Sequence, residues 1–473
     1  LLRRVSVAFR QACLKAVKED PLNSPTMASF GWRILEKLHR GNTKYLEPVN
    51  WKLRVFDITP DLLQQYLRTS IIGGRVQGIV GVHNFKEPHY MIDVVSEYPS
   101  MMMQHGYPYG QPIVLVGEKS VMHAEQLLAE PERIGIFYCR YDQGPLIRSK
   151  GYAYLPLRGE TLQWDAKAVL EAGPQEGLLP DVSIRRLRAE GCPVLIMAPA
   201  SRPNYPHTMS WERRKNTFVD YIQLFAKIKS DEDAKPKEKR NMAMRELGKL
   251  GMNAISGKAA QKEYNDTTVV FTKAQIERAR VMTARLIKEG HSVDIIDLSD
   301  NHVIMKVPKK KCKHYPAQLS SFIYAYARDL LWEDIFSRAR ELRGDVWYMD
   351  TDSAIIGKAQ LDDLRKRGRL IESGQPKEFG KWEVEMRVSK LAVAAPKFYG
   401  LISPDQDKPK LRIKGIREKD LYLVKDELES APGRPIDLEL IERKIKGEVI
   451  RVKGFSIYRK DGKIMYRDLV KLL

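Results

Sequence analysis

The feature that most constrains this chain is Tyr348-Met349-Asp350-Thr351-Asp352-Ser353, which lies between two apolar runs. The run before it ends at Trp347 and the run after it is Ala354-Ile355-Ile356, so the segment is predicted to be the turn of a β-hairpin. Because side chains alternate across a strand, Asp350 and Asp352 are expected to point to one side. Two such carboxylates predict a hard-cation site, with a solvated Asp-rich turn as the alternative.

Composition and net charge indicate which class of partner such a site would have. The chain of 473 residues has a formal net charge of +20, with 43% hydrophobic and 30% charged residues, a balance typical of a globular protein. The positive excess favours a polyanionic partner, with nucleic acid ahead of a membrane surface. No apolar run approaches the ~18 residues of a membrane helix. The scattered cysteines, without a Cys-x-x-Cys pair, favour a reducing compartment over a disulfide scaffold or a structural zinc site.

Two further motifs are predicted to begin or end on strands. In Asp93-Val94-Val95-Ser96-Glu97-Tyr98-Pro99-Ser100, an apolar strand delivers Asp93, and Pro99 stops the strand and redirects the chain. Downstream of the hairpin, Pro396-Lys397-Phe398-Tyr399-Gly400 is predicted to be a strand that places a lysine and a tyrosine beside a phosphate backbone.

A third motif lies on a predicted helix between the two carboxylate segments. Residues 216–229 and a second stretch that reaches about residue 256 have helical spacing, and a basic connection at 230–240 joins them into a helical hairpin. On the second helix Lys249, Asn253 and Ser256 share one face, which would present a cation and an amide to a triphosphate. Further along, the pattern predicts a helix at 273–289, a β-hairpin at 292–307 and a long helix at 320–340, with a basic run at 309–314.

Taken in order, these motifs resemble those of family B DNA polymerases, in particular the protein-primed branch of bacteriophages and linear plasmids. Residues 93–100 resemble motif A (Asp-x-x-Ser-Leu-Tyr-Pro-Ser), and residues 249–257 resemble motif B (Lys-x-x-x-Asn-Ser-x-Tyr-Gly). Residues 348–353 match motif C (Tyr-x-Asp-Thr-Asp-Ser) at every fixed position, residues 397–399 resemble the Lys-x-Tyr motif, and the glycines at 73–74 resemble the Tyr-x-Gly-Gly element. Four motifs in the right order are more specific than any one of them.

The resemblance implies an α+β fold, a right-hand polymerase whose palm contains an antiparallel sheet, with helical fingers and a small thumb. The domain boundaries it implies follow the motifs along the chain. They are an exonuclease-domain tail at 1–48, palm at 49–110, an insertion like the terminal-protein region at 111–215, fingers at 216–259, a second insertion with a β-hairpin at 260–315, palm again at 316–408 and thumb at 409–473.

The implied activity is template-directed DNA synthesis from deoxynucleoside triphosphates, with two Mg²⁺ ions for which Mn²⁺ can substitute. Asp93 and Asp352 would bridge the ions, the carbonyl of Val94 would complete one shell, and Asp350 would be an accessory ligand or act through water. The implied partners are primer–template DNA, deoxynucleotides and a terminal protein or another replisome subunit, with no membrane. The expected location is intracellular, in the cytoplasm of a bacterial host for a phage enzyme, with a mitochondrion or a virion as alternatives.

The resemblance also implies roles for the remaining motif residues. Tyr98 would lie under the deoxyribose and exclude a 2′-hydroxyl, with a packed core tyrosine as the alternative. The expected nucleotide-binding residues are Tyr98, Lys237, Lys249, Asn253 and Ser256. The expected DNA-binding residues are Gly73, Gly74, Arg75, Lys397 and Tyr399. For Lys237 a solvated basic tip is the alternative, and for the glycine pair a strand bulge.

Departures from the family pattern carry their own expectations. Glu97 stands where motif A usually has Leu, and in motif B Ala254 replaces Ser and Ser256 replaces Tyr, so a roomier nucleotide pocket with looser discrimination is expected. The chain begins at Leu1 without Met, and its first 38 residues resemble the tail of an exonuclease domain whose carboxylates it lacks. A fragment or split gene product without proofreading is therefore expected.

Two alternatives to a DNA polymerase remain open from the sequence. One is a reverse transcriptase or RNA polymerase on a similar palm, which Asp-Thr-Asp in place of Tyr-x-Asp-Asp and the sugar-facing Tyr98 disfavour. The other is a catalytically silent nucleic-acid-binding scaffold, which the retained Asp93, Asp350 and Asp352 disfavour.

Overall fold

The computed structural model describes most of the chain, and the predicted basic run at 309–314 lies outside the described residues, as do parts of the predicted thumb. The described residues are 2–24, 26–40, 42–49, 60–159, 161–261, 266–272, 275–288, 294–299, 302–308, 315–413, 422–423, 438–447, 451–460 and 463–472.

The described residues form both α-helices and β-strands. The α-helices are α1 (Leu2–Val17), α2 (Met27–Leu38), α3 (Pro60–Arg68), α4 (Glu97–Gln104), α5 (Val121–Ala129), α6 (Gly144–Lys150), α7 (Ala166–Ala172), α8 (Asp181–Ala189), α9 (Val219–Asp233), α10 (Met242–Ala259), α11 (Ile276–Lys288), α12 (Ala317–Leu331), α13 (Ser337–Ala339), α14 (Lys358–Lys366) and α15 (Leu438–Ile445). The strands are β1 (Val76–Gly78), β2 (Gly81–Val94), β3 (Tyr107–Leu115), β4 (Arg133–Tyr141), β5 (Gln175–Pro180), β6 (Val194–Ile196), β7 (Thr208–Arg214), β8 (Asp266–Thr272), β9 (Asp294–Ser299), β10 (His302–Pro308), β11 (Tyr348–Asp350), β12 (Ser353–Gly357), β13 (Trp382–Ala395), β14 (Phe398–Ile402), β15 (Lys410–Ile413), β16 (Tyr422–Leu423), β17 (Arg451–Lys460) and β18 (Lys463–Leu472).

The chain divides into two compact units, of which the first comprises Leu1–Arg68, Tyr109–Gln111 and Leu224–Ser320. Here α10 packs against α2 and lies close to α9, because Gly251 leaves room for the ring of Phe225 that a Cβ at this position would strike. The order β8-β10-β9 forms a small antiparallel sheet within the described residues of this unit. The predicted helix at 273–289 and hairpin at 292–307 are confirmed as α11 and β9–β10.

The second unit contains the sheet that carries the carboxylate motifs. Its strand order is β1-β11-β12-β2-β13-β14-β15 among the described residues, and every neighbouring pair is antiparallel. The long strands β2 and β13 lie side by side in its middle. The antiparallel palm sheet expected from the resemblance is therefore present, and the predicted hairpin turn joins β11 to β12.

An apolar core packs against this sheet. It includes side chains of the predicted helix at 320–340, which contains a π-helical turn. The helix continues from α12 through one π-helical turn, Trp332–Phe336, into α13. Trp332 and Phe336 are buried with Trp382 of β13 and Ile92 of β2 in one large hydrophobic cluster. This burial of several large side chains fixes the helix behind the strands that carry the carboxylates.

A second sheet follows motif A in the same unit. Its described strands have the order β3-β7-β4-β5, with β6 also paired to β4. These strands, with α5 to α8, account for the predicted insertion at 111–215, although the exact domain boundaries stay predictions.

Candidate active site

The predicted carboxylate turn is a two-residue loop under backbone constraint. Asp350 pairs with Ser353 across β11 and β12, and the Asp352 N–H donates to the Asp350 carbonyl over 2.9 Å. Thr351 between them has φ of 66°, a left-handed conformation that a β-branched residue rarely adopts. Such strain persists only where the surrounding structure holds it, and it is common at functional sites.

The glycine pair upstream supplies part of that support. The Thr351 N–H donates to the carbonyl of Arg75 over 2.8 Å, and Val76 pairs with Asp350 in the sheet. A Cβ added to Gly74 would come within 2.6 Å of the Thr351 side chain, so this position requires glycine. The segment at 73–75 thus holds the carboxylate turn from behind.

Motif A delivers its carboxylate to the same place. Asp93 pairs with Ser353 across β2 and β12, and the Val94 N–H donates to the Asp352 carbonyl over 2.8 Å. Ser96 then takes a left-handed conformation with φ of 51°, which turns the chain from β2 into α4. Two motifs about 260 positions apart therefore meet at adjacent strand ends, as the resemblance implied.

Burial and mutual repulsion govern the protonation of this pair. Burial, followed by the charges of Asp352 and two further glutamates, raises the pKa of Asp93 to about 7. The pKa of Asp352 is also raised, first by burial and then by Asp350 and Glu385. Both groups lose hydration and repel one another, so each resists ionisation in the protein alone.

Three neighbouring carboxylates differ from Asp93 and Asp352 because each forms an ion pair with a lysine. The Lys397 ammonium lies 2.8 Å from Asp350, Lys410 lies 2.9 Å from Glu385, and Lys377 lies 2.6 Å from Glu383.

Within the part of the chain that the structure describes, neither Asp93 nor Asp352 forms an ion pair. Unlike Asp350, Glu383 and Glu385, these two side chains are left without a lysine partner.

This arrangement fits a divalent cation in part. Among the described residues, no group of three acidic, histidine or cysteine side chains is arranged to hold an ion without other ligands. Asp93 and Asp352 would supply two ligands, and the Val94 carbonyl would supply a third. Water and substrate phosphates would occupy the remaining positions. Mg²⁺ is commonly bound by few carboxylates together with phosphates, so the donor set suits it. Asp350, predicted as an accessory ligand, is engaged with Lys397.

The Lys-x-Tyr motif is tied to motif C through a buried tyrosine. The Lys397 N–H donates to the Tyr348 hydroxyl over 2.8 Å, and Lys397 itself has φ of 60°. The Tyr348 and Tyr399 rings lie with their centroids 4.2 Å apart. The lysine is thereby positioned beside Asp350 with a half-exposed side chain.

Three of the predicted DNA- or nucleotide-contact residues are buried, and their roles as direct ligands stay predictions. Arg75 is only 3% exposed, and its guanidinium lies over the Phe336 ring at 3.7 Å and near Trp164. Tyr399 is 2% exposed within a hydrophobic cluster, and Ser256 is buried with its hydroxyl directed to the Asn253 carbonyl. These residues were identified from the spacing of the motifs. Their burial is caused by elements that pack over them.

The other predicted nucleotide-binding residues of the helical hairpin are accessible. Lys249 and Asn253 are exposed on α10, and Asn253 donates to the Lys249 carbonyl over 3.2 Å, so they share one face as expected. Lys237 is exposed in the 3₁₀ turn Lys237–Lys239 that precedes α10.

Tyr98 lies on α4 beside the carboxylates and packs edge-to-face on Tyr324, with ring centroids 5.1 Å apart.

Sequence reasoning missed several residues around the carboxylates. Glu383 and Glu385 lie on β13, and Glu383 pairs directly with Asp93. The alternation in Trp382-Glu383-Val384-Glu385 was a strand signal that could have placed both glutamates on one side of β13. Arg328 and Tyr324 on α12 gave no signal beyond helical spacing.

Among the described residues, no helix combines the length and the apolar character needed to cross a membrane.

Comparison with known proteins gives a consistent result. Residues 1–335 match the family model for type B DNA polymerases, organellar and viral. A DNA polymerase from Kluyveromyces lactis is 24% identical over 364 residues, which are 74% of this chain and 32% of the yeast protein. The uncharacterized protein 075R of Invertebrate iridescent virus 3 is 31% identical over 146 residues, 30% of this chain and 84% of the viral protein. The chain thus spans about a third of the length of the yeast relative.

Solved structures show the same fold. Phi29 DNA polymerase complexed with primer–template DNA matches with a TM-score of 0.60 at 16% identity, covering 98% of this chain and 70% of that one. The ternary complex of phi29 DNA polymerase with primer–template DNA and incoming nucleotides also matches with a TM-score of 0.60, covering 95% and 68% of the two chains. At this identity the likeness establishes the fold.

Proposed function

The chain belongs to the organellar and viral type B DNA polymerases, and from this premise we propose that it catalyses template-directed addition of deoxynucleotides to a primer 3′-hydroxyl. The observation that carries the proposal is the pair Asp93 and Asp352. Strand pairing sets them side by side, burial raises their pKa values, and among the described residues neither forms an ion pair with a lysine.

Divalent cations bound there would neutralise charge on the transferred phosphoryl group. The chain's own residues would position the reactants. Asp93 and Asp352 present oxygen ligands from adjacent backbone, so their spacing is set by the sheet and not by flexible side chains. Lys397, fixed through Tyr348, would contact the phosphate of the primer terminus. Lys249 and Asn253 of α10 would bind the triphosphate, with Lys237 as a further cation.

Tyr98 would exclude ribonucleotides by occupying the space of a 2′-hydroxyl. Support comes from its place on α4, five residues beyond Asp93, and from its packing on Tyr324, which restrains the ring. The enzyme would therefore be a DNA polymerase and not an RNA polymerase or reverse transcriptase on a similar palm.

Primer extension tests the proposal directly. The full chain is incubated with Mg²⁺, a labelled DNA primer on a single-stranded template, and deoxy- or ribonucleotides supplied separately. Extension with deoxynucleotides is expected, and Asp352→Asn should lower it by at least about 10³-fold, because the variant loses a group that acts in the transition state. Asp407→Asn, which changes an exposed carboxylate, is the matched control and should extend normally.

Two results would contradict the proposal. Undiminished extension by Asp352→Asn would remove the carboxylate pair from the reaction. No extension by the unaltered chain on any primed template, together with retained DNA binding, would favour the silent nucleic-acid-binding scaffold.

Protein priming is a finer proposal that rests on the resemblance alone. By the resemblance, the segment that contains β3 to β7 and α5 to α8 would correspond to the terminal-protein insertion. If a priming protein docks there, deletion of DNA primer from the reaction should leave nucleotide transfer to that protein intact. Failure of transfer with every candidate primer protein, alongside normal DNA-primed extension, would contradict this part only.

A further inference from the structure

A small cavity is lined by Tyr98 in the second unit. Its volume is about 10 Å³, which is the space of a single water molecule. It is enclosed by α4, α12, the glycine-pair segment and the carboxylate turn, and the lining residues that matter here are Arg75, Glu97, Tyr98, Tyr324, Arg328 and Thr351.

Three residues around this cavity carry a buried polar atom with no hydrogen-bond partner among the described residues. These atoms are Glu97 Oε1, Arg328 Nε and Arg75 Nη2. Glu97 is 3% exposed and Arg328 is 6% exposed. A buried donor or acceptor without a partner destabilises the folded state, so three around one cavity require an explanation.

The other polar atoms of the two arginines are already engaged. Arg328 donates from Nη1 to the Ile72 carbonyl and from Nη2 to the Ser183 hydroxyl, over 3.1 and 3.2 Å. Arg75 donates from Nη1 to the Ala153 carbonyl over 2.7 Å. Both guanidiniums are therefore fixed, and neither can turn away to satisfy its remaining N–H elsewhere.

A single water in this cavity would be offered two N–H donors and one oxygen acceptor by these residues. Its oxygen would accept from Arg328 Nε–H and Arg75 Nη2–H, and one of its hydrogens would be donated to Glu97 Oε1. Three partners are typical of a buried water. Leucine, the usual residue at this place in motif A, has no atom that could accept this hydrogen.

We propose that Glu97 determines sugar specificity by closing a water-mediated hydrogen-bond network with Arg328 and Arg75, which fixes the Tyr98 ring. Tyr98 follows Glu97 directly on α4 and lines the same cavity, and its other neighbour there is the Tyr324 ring. With the network intact, the ring has no free volume behind it. Without it, Tyr98 can move back and admit a 2′-hydroxyl. The role is one of positioning, and it rests on the proposed polymerase function with Tyr98 as sugar gate.

The test compares two substitutions that differ in a single property. Glu97→Gln keeps the shape and an oxygen acceptor, whereas Glu97→Leu keeps bulk and removes the acceptor. The measured quantity is the ratio of kcat/KM for a deoxynucleotide to that for the matching ribonucleotide in primer extension by the full chain. Glu97→Leu should lower this ratio about tenfold, the size of one lost buried hydrogen bond, and Glu97→Gln should leave it within about threefold of the unaltered chain.

Two further variants separate positioning from general damage. Tyr98→Val removes the gate, so it should lower the ratio more than Glu97→Leu does, and adding Glu97→Leu to it should have no further effect. Glu87→Leu, an exposed glutamate on β2, is the matched control and should leave the ratio unchanged. Thermal unfolding of each variant identifies any that fails to fold. If Glu97→Leu fails, Arg328→Lys replaces it, and the same loss of discrimination is expected.

The outcomes distinguish this inference from the proposed function. A lowered ratio in Glu97→Leu, rescued in Glu97→Gln and absent in the Tyr98→Val background, supports the inference. An unchanged ratio in Glu97→Leu, or an equal loss of rate with both sugars, overturns it while Tyr98→Val still responds. If Tyr98→Val also leaves the ratio unchanged, the sugar gate itself is wrong and the inference fails with it.

Discussion

Two carboxylate sites in the second unit differ in whether the protein itself supplies a cation to pair with the acid. Asp334, on the π-helical turn, is 5% exposed and contacts two arginines. Arg367 lies 3.0 Å and Arg369 2.9 Å from its oxygens, and the Trp382 indole N–H donates to it over 3.0 Å. Asp93 and Asp352 are partly buried, and within the described residues neither forms an ion pair with a lysine or arginine.

The two sites therefore have different roles at one sheet, one in packing and the other in the proposed binding of a cation. Asp334 joins the helix behind the sheet to β13 and to the chain at 367–369, and its charge is compensated by the protein itself. The carboxylates at the strand ends are left uncompensated, which destabilises the protein in isolation and makes it receptive to an external cation. The ion-paired Asp334 stabilises the packing of its neighbours, whereas the unpaired Asp93 and Asp352 are candidates for binding a cation.

Exchanging each acid for asparagine should have opposite effects on stability. Asp334→Asn leaves two arginines facing a neutral group, and a loss of about 3 kcal/mol in the free energy of unfolding is expected. Asp352→Asn removes repulsion with Asp93, so the free energy of unfolding of the metal-free protein should stay the same or rise. Thermal unfolding followed by circular dichroism measures both. Equal destabilisation by the two substitutions would contradict the distinction drawn between the sites.

Magnesium should stabilise the protein through one of these sites only. At 100 times its dissociation constant, a ligand that binds only the folded state adds about 2.7 kcal/mol. The unfolding temperature of the unaltered chain should therefore rise with Mg²⁺, and the rise should be absent in a variant with both Asp93→Asn and Asp352→Asn. Lys377→Met, which alters a paired lysine outside the central pair, is the control and should keep the rise. An undiminished shift in the double variant would place the cation elsewhere.

The smallest expected effect is a dependence of stability on pH without metal. The folded pKa of Asp93, about 7, lies above its ordinary value of 3.8, so the folded state holds a proton that the unfolded state releases between these values. This contribution to stability is complete below about pH 4 and is lost as the pH rises through 7. In EDTA, the unfolding temperature of the unaltered chain minus that of Asp93→Asn should fall from pH 5 to pH 8. A constant difference over this range would show that Asp93 ionises freely.

Local pattern was sufficient for the elements that carry the motifs. The hairpin at β11–β12 followed from apolar runs on both sides of a short polar turn, and the strand-to-helix passage at motif A followed from Asp93 and Pro99. The face shared by Lys249 and Asn253 followed from helical spacing. Each of these features depends on neighbours within a few residues, so the sequence alone contains it.

Residue roles were less predictable because burial depends on distant elements. Arg75 lies in a motif expected to approach DNA, but rings from residues 164 and 336 cover it, and only its backbone reaches the carboxylate turn. Tyr399 is predicted to hold the primer terminus, and its ring packs on Tyr348, about fifty positions away, which motif spacing did not indicate. No spacing rule reports such contacts, since the partners come from other strands and helices.

The sequence by itself determined the family, the order of the motifs and the identity of the carboxylates, because these are properties of residue type and short-range spacing. The tertiary structure decided which charges are compensated. It gave Asp350, Glu383 and Glu385 a lysine each, left Asp93 and Asp352 without one, and enclosed Glu97 with two arginines around a cavity the size of one water. Electrostatic balance is summed over groups that are near in space and remote in sequence, and only the fold brings them together.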